Sequence, residues 1–94
     1  MQKRFDWDEA NTEHIARHRI TPDEAEQVIM RDDALIARIE SRKGEVRVVS
    51  LGQTTNGRYL TVVHTIRAGR VRVVTAFPMN RSQRRFYEES KKGR

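Results

Sequence analysis

Cysteine is missing from this chain, and proline occurs only twice among its 94 residues. Without cysteine there is no disulfide, no thiolate metal site and no thiol nucleophile. No apolar run approaches the roughly 18 residues that a bilayer span needs, and the opening MQKRFDWDE has no signal-peptide apolar region. The expectation is a cytoplasmic protein with no membrane partner. Aromatic residues make up 6% and form no RNP-type stacking pattern, which argues against single-strand binding on an aromatic platform. There are no internal repeats and no low-complexity linker, so the length predicts one domain over residues 1–94, with a limited core.

What is present is strongly patterned. Hydrophobic residues are 36% of the chain and gather in periodic blocks, as in a folded domain rather than a disordered chain. The net charge of +6 conceals a division. Through Glu40 there are six Lys/Arg against ten Asp/Glu, a balance of −4; from Ser41 onward there are thirteen against three, a balance of +10. Such asymmetry points to a polyanionic partner for the second half, either nucleic acid or an acidic protein.

Met1–Phe5 is a short lead that suits an edge strand. Asp6 or Asp8 can cap a helix to about His18, with Trp7, Ala10, Asn11, His14, Ile15 and His18 on one face. Thr21-Pro22-Asp23-Glu24 combines a cap, a proline at the first helical position and a glutamate three after the cap. That helix is expected to reach about Arg31 and to bury Ala25, Val28 and Ile29. Strands follow at 35–40, with Leu35, Ala37 and Ile39 on one face, and at 45–51, separated by a turn at Ser41–Gly44. Asn56-Gly57 marks a polar loop.

Arg58–Ile66 and Arg70–Phe77 are rich in Val, Thr and Ile, which predicts a hairpin turning at Ala68-Gly69. The register then pairs Ile66 with Val71, His64 with Val73, Val62 with Thr75 and Leu60 with Phe77. The opposite face would carry Arg67 with Arg70, Thr65 with Arg72, and Val63 with Val74. Pro78 ends the strand. Asn80 and Gln83 imitate a capping box for a last helix to about Ser90, which Phe86 or Tyr87 can anchor, and Ser90–Arg94 is a frayed basic tail. The predicted fold is α+β: two N-terminal helices, a four-stranded antiparallel sheet and one C-terminal helix.

His14 and His18 stand one helical turn apart, but the intervening Ile-Ala-Arg is not the metalloprotease pattern, and only His64 remains as a third imidazole. No metal or cofactor is therefore expected. His64, on the buried face of the hairpin, reads as a satisfied core histidine in preference to a general base. Arg47, Arg58, Arg72, Arg81, Arg84 and Arg85 lie along the strands and at the start of the last helix. Arg81 stands in a first helical turn, where the dipole disfavours a cation unless an anion is bound there too.

The segments FDWDEAN with HIARH, TPDEAEQVI, VSLGQTTNGRYLTVV and RVRVVTAFPMNRSQRRFYEE, in this order from Phe5 to Glu89, resemble the BrnT-type toxins of type II toxin–antitoxin modules. That family's fold is related to the RelE ribonuclease toxins. The resemblance implies a metal-independent ribonuclease that acts on RNA to arrest translation. It also implies neutralisation by a ribbon-helix-helix antitoxin (BrnA-like), through which alone DNA would be contacted. By motif position it implies catalytic phosphate contacts from Arg47, Arg58 and Arg81, with Arg72, Arg84 and Arg85 as further RNA-binding residues. Three positions depart from the family pattern: Arg19 replaces a glycine, Phe77 an arginine and Gln83 a glutamate. Arg19 thus speaks against a left-handed helix stop. The other two imply an alternative, a catalytically weakened or inactive module that binds nucleic acid or antitoxin through the same basic face.

Overall fold

A computed structural model describes residues 4–92. The elements run α1 (Glu9–Ala16), α2 (Pro22–Met30), β1 (Leu35–Arg42), β2 (Glu45–Gln53), β3 (Tyr59–Arg67), β4 (Arg70–Pro78) and α3 (Arg81–Lys92). The four strands form one antiparallel sheet in sequential order, so the expected α+β architecture stands. Met1–Lys3, the start of the lead, and Gly93–Arg94, the end of the tail, lie outside the described residues. Phe5 makes a parallel bridge to Val71, and the backbones of Arg4 and Asp6 pair with Val71, which covers the β4 edge.

Each helix begins at a side-chain cap. Asp8 and Asn11 form a reciprocal capping box for α1, and Thr21 with Glu24 does the same for α2 behind Pro22. The last box is as expected: Gln83 Oε1 accepts from the Asn80 amide at 3.0 Å, and the Gln83 amide donates to Asn80 Oδ1 at 2.8 Å. Helix α1 stops at Ala16, short of His18, because Arg19 does adopt the left-handed conformation (φ +58). The Arg19 and Ile20 amides bond back to Ala16 and Ile15, so the stop forms without glycine and turns Ile20 into the core. Only Asn11 and Ile15 of the helix are buried; Ala10, His14 and His18 are exposed, since the short helix presents a narrow stripe.

Helices α1 and α2 lie on one face of the sheet. Ile15, Ile20, Ala25, Val28, Leu60, Val62, Val73 and Ala76 form the core there, with Trp7 and Ile29 packed against it. Gly52 faces α2 so closely that a Cβ would come within 2.9 Å of Val28 Cγ1. Helix α3 packs on the opposite face through Tyr87, which is buried and meets Tyr59 edge-on at 5.9 Å between centroids. Phe86 is half exposed, so Tyr87 alone is the anchor.

Two strand irregularities correct the expected faces. Ala68 and Gly69 both have positive φ and turn the β3–β4 hairpin as predicted, and Ile66–Val71, Thr65–Arg72 and His64–Val73 pair as expected. Beyond His64 the register shifts, giving Val63–Thr75, Val62–Ala76, Thr61–Phe77 and Leu60–Pro78 in place of the uninterrupted pairing. The extra β4 residue lets Val73 and Ala76, three apart, point to the same buried side. In β1 a shift between Ile36 and Arg38 puts Ile36 and Ile39 on one face and Leu35 on the other, against the simple alternation. The first hairpin turns on Lys43 and Gly44 alone, both at positive φ, which lengthens β1 to Arg42.

Candidate functional site

The α3 face carries a cationic surface built on Tyr59. Its chain neighbour Arg58 immediately precedes β3, and Thr54 holds that corner: the Arg58 amide donates to Thr54 Oγ1, and the Thr54 amide to the Arg58 carbonyl. Alternation along β3 then sends Tyr59 and Thr61 to the α3 side. The Arg84 guanidinium carbon sits 3.9 Å over the Tyr59 ring centre, a cation–π geometry that also fixes the arginine's direction. Tyr59 Oη donates to Glu88 at 3.1 Å, and Glu88 is 3.6 Å from Arg84 Nε. Thr61 Oγ1 donates to Gln83 Oε1 at 3.0 Å, which joins the sheet to the helix cap.

Along the outer side of α3, Arg81, Arg84, Arg85, Glu88, Glu89 and Lys92 line a shallow groove of about 320 Å³. Arg81, Ser82 and Arg85 line a second concavity of about 270 Å³. Among the described residues, Arg81 and Arg85 form no ion pair, and the first turn of α3 holds no carboxylate. Two uncompensated guanidinium groups at a helix start are what an anion, above all a phosphate, would satisfy.

The other sequence-predicted arginines are placed differently. Arg47 shares the α3 side of the sheet with Val49 and Leu51, whose partner Thr61 contacts α3. It lies four residues, about 13 Å, up the strand from Leu51. Its Nε donates to Glu45, which also accepts from Arg67, and these two bonds hold the Glu45 carboxyl below its ordinary pKa, Arg67 first.

Arg58 points to the opposite layer. Its Nη1 donates to both carboxylate oxygens of Glu24 and to the Arg19 carbonyl, so it clasps the corner between α1 and α2. Burial pushes the Glu24 carboxyl up, but the Thr21 amide and Arg58 together outweigh it and hold the pKa below its ordinary value. Arg72 lies at the β4 edge, its side chain 12% exposed, bonded to Asp6 and Asp8. Thus Arg81, Arg84 and Arg85 come together on α3; Arg47 shares their side of the sheet but is paired with Glu45, and Arg58 and Arg72 are engaged by Glu24 and by Asp6 and Asp8.

Two of the three departures, Gln83 and Phe77, fall near this surface, both beside Thr61. Gln83 Oε1 serves both Asn80 and Thr61, so the amide keeps the acceptor role of a carboxylate but not its charge. Phe77 meets His18 edge-on at 6.2 Å, an apolar use of its position. Sequence reasoning overlooked Tyr59 and Glu88; the signal available was the alternation that sends Tyr59 to the side of Thr61.

His64 is half-buried rather than a satisfied core histidine. Its Nδ1 is enclosed without a hydrogen-bond partner, and desolvation lowers its pKa. It shares the face of Val62, away from α3, so it is remote from the arginine groove. Among the described residues no three His, Asp or Glu side chains converge as a metal site would need, and no helix is long and apolar enough to cross a membrane.

Such an arrangement defines a class: a small α+β protein presenting an arginine-lined helix beside an open sheet. Residues 7–83 match the family model described as "Ribonuclease toxin, BrnT, of type II toxin-antitoxin system". The chain belongs to that family of ribonuclease toxins, and as a type II toxin it pairs with an antitoxin. No curated protein matches the chain.

Proposed function

We propose that the chain is an endoribonuclease that cleaves RNA without a metal, in the cytoplasm, and thereby arrests translation and growth. The observation that carries this reading is the pair of unpartnered arginines, Arg81 and Arg85, beside Arg84 stacked on Tyr59. RNA supplies its own nucleophile. Its 2′-hydroxyl loses a proton to a base and attacks the adjacent phosphorus; the bond to the 5′-oxygen breaks, and that oxygen takes up a proton. The protein need only position the phosphate and balance the charge that grows on its oxygens, which guanidinium groups do well. Arg81, with Arg47 further along the sheet, would carry the catalytic contacts, and Arg84 and Arg85 would hold the flanking backbone. Glu88 and Glu89 are the carboxylates that the groove offers as base, and Glu88 is the one joined to Tyr59 and Arg84. Arg47 could reach phosphate only by leaving Glu45, Arg58 only by leaving Glu24, and Arg72 only by leaving Asp6 and Asp8. In this reading the antitoxin is of the ribbon-helix-helix kind and supplies any DNA contact.

A second reading, a module that binds through the same surface but cleaves weakly, draws on Phe77 packed against His18 and on the uncharged Gln83. One experiment separates them: incubation of total RNA with the purified chain in the presence of a chelator, alongside Arg81→Gln and Glu88→Gln. Cleavage that both substitutions reduce supports the enzyme. Binding without cleavage supports the module, and neither binding nor cleavage refutes both.

A further inference from the structure

A guanidinium group donates its hydrogen bonds in its own plane, so phosphate contacts leave its two flat faces free. In Arg84 one of those faces is already taken. The stack beneath it is built from the core outward. Buried Tyr87 meets Tyr59 edge-on, with ring centres 5.9 Å apart and planes at 88°. The Arg84 guanidinium carbon then lies 3.9 Å over the Tyr59 ring centre, the separation of groups in van der Waals contact. Glu88, which accepts from Tyr59 Oη, stands 3.6 Å from Arg84 Nε and restrains the group from the side. The Arg84 side chain is nevertheless 55% exposed and lines the groove, so its second face is open to a ligand.

What fits such a face is another flat, polarisable group. An unpaired RNA base is one, and stacking on an arginine plane is a recurrent way of holding it. In a duplex the bases stack on one another and offer no free face. Arg81 and Arg85 flank Arg84 on the helix and would hold the phosphates of the same strand, which brings its bases within reach. Their guanidinium groups are equally planar, but among the described residues no ring lies beneath either to fix it. The half-exposed Phe86 stands about 200° around the helix from Arg84 and does not line the groove. The surface is thus one fixed guanidinium plane, not the RNP-type aromatic array that this sequence lacks. Because the plane is ordered before binding, the ligand is spared the entropy of ordering it. We propose that Arg84, backed by Tyr59, is the surface on which one unpaired RNA base stacks, a contact that a duplex cannot make. The proposal rests on the reading of the chain as an RNA-cleaving toxin and adds which form of RNA the groove favours.

The test measures the affinity of the full chain for a short 2′-O-methylated RNA strand, which has no nucleophile and stays intact, and for its duplex. Arg84→Lys keeps the charge and a good helix former at an exposed position but removes the plane. It should weaken single-strand binding on the order of 10-fold, the scale of one lost base stack, and duplex binding less than 2-fold. The dependence of log K on log salt should stay as in the parent, because no cation is lost. Tyr59→Leu should weaken single-strand binding similarly by freeing Arg84, and Tyr59→Phe, which restores the ring, should recover most of the loss. A 2-aminopurine base in the strand should be quenched by the parent and not by Arg84→Lys. Undiminished single-strand affinity in Arg84→Lys, or equal losses for strand and duplex, would overturn the proposal while leaving the RNA reading intact. A parent chain that binds neither form would overturn both.

Discussion

Arg58 and Arg81 stand in opposite relations to acid. Arg58 donates to both oxygens of Glu24 and to the Arg19 carbonyl, and it joins two helices to the start of a strand. Arg81 opens a helix whose first turn holds no carboxylate, and it borders two concavities. The difference is one of long-range partnership. An arginine whose charge is already balanced serves the fold, and moving it onto a ligand would leave a carboxylate behind. An arginine left unbalanced at the positive end of a helix destabilises the free protein slightly and is satisfied by an anion. Arg72, held by Asp6 and Asp8, belongs with Arg58, and Arg85 belongs with Arg81.

The comparison breaks most visibly in catalysis. Arg81→Gln should lower single-turnover RNA cleavage on the order of 100-fold while shifting the unfolding midpoint little, because among the described residues its exposed side chain forms no ion pair or hydrogen bond. Equal cleavage in the two proteins would remove Arg81 from the site. The converse substitution, Arg58→Gln, should cost about 1 kcal/mol in denaturant unfolding and leave cleavage per folded molecule near the parent value. The figure is modest because the guanidinium is partly in water, yet Glu24 is left without its partner.

Acid sharpens the same contrast. Glu24 has a folded pKa below its ordinary 4.5, so the carboxylate stabilises the fold fully above that value and the contribution is lost as pH falls through the lowered one. Stability of the parent should therefore drop below about pH 4.5, and Arg58→Gln should flatten part of that slope, whereas Arg81→Gln should not. Urea midpoints between pH 3 and 7 would show it, and parallel curves for all three proteins would sink the idea. The smallest effect is expected in RNA affinity against salt. Losing one phosphate contact at Arg81 should reduce the slope of log K on log salt by about 0.7, and Arg38→Gln, removing an exposed pair with Glu40, should leave it unchanged.

Local chemistry was legible from residue order alone. Thr21 with Glu24 and Asn80 with Gln83 announced two helix starts because a cap is a contact across three residues. Ala68-Gly69 announced a hairpin, and pairing near its tip followed. The α+β order and the basic character of the second half were equally plain. Less legible was the phase of β4 beyond Val73, where an added residue restores the buried side for Ala76. No local pattern predicts such a bulge, since it relieves the strand's fit to the helices above it. Arg19 shows the same limit: its left-handed backbone is sustained by carboxyl-end hydrogen bonds and by the burial of Ile20, not by its own preference.

The candidate site divides along the same line. The sequence by itself determined that cations gather after Ser41, that Arg81 begins a helix and that an anionic partner was to be sought. Charge count and capping are properties of neighbouring residues. Only the tertiary structure decided which arginines are spent on Glu24, Asp6 and Asp8 and which remain open, and that Tyr59 lies under Arg84. It also decided that the aliphatic residues of β1 and the hairpin tip are left uncovered. Those outcomes depend on which distant surfaces the folded sheet brings within hydrogen-bond or van der Waals reach, and separation along the chain carries no such information.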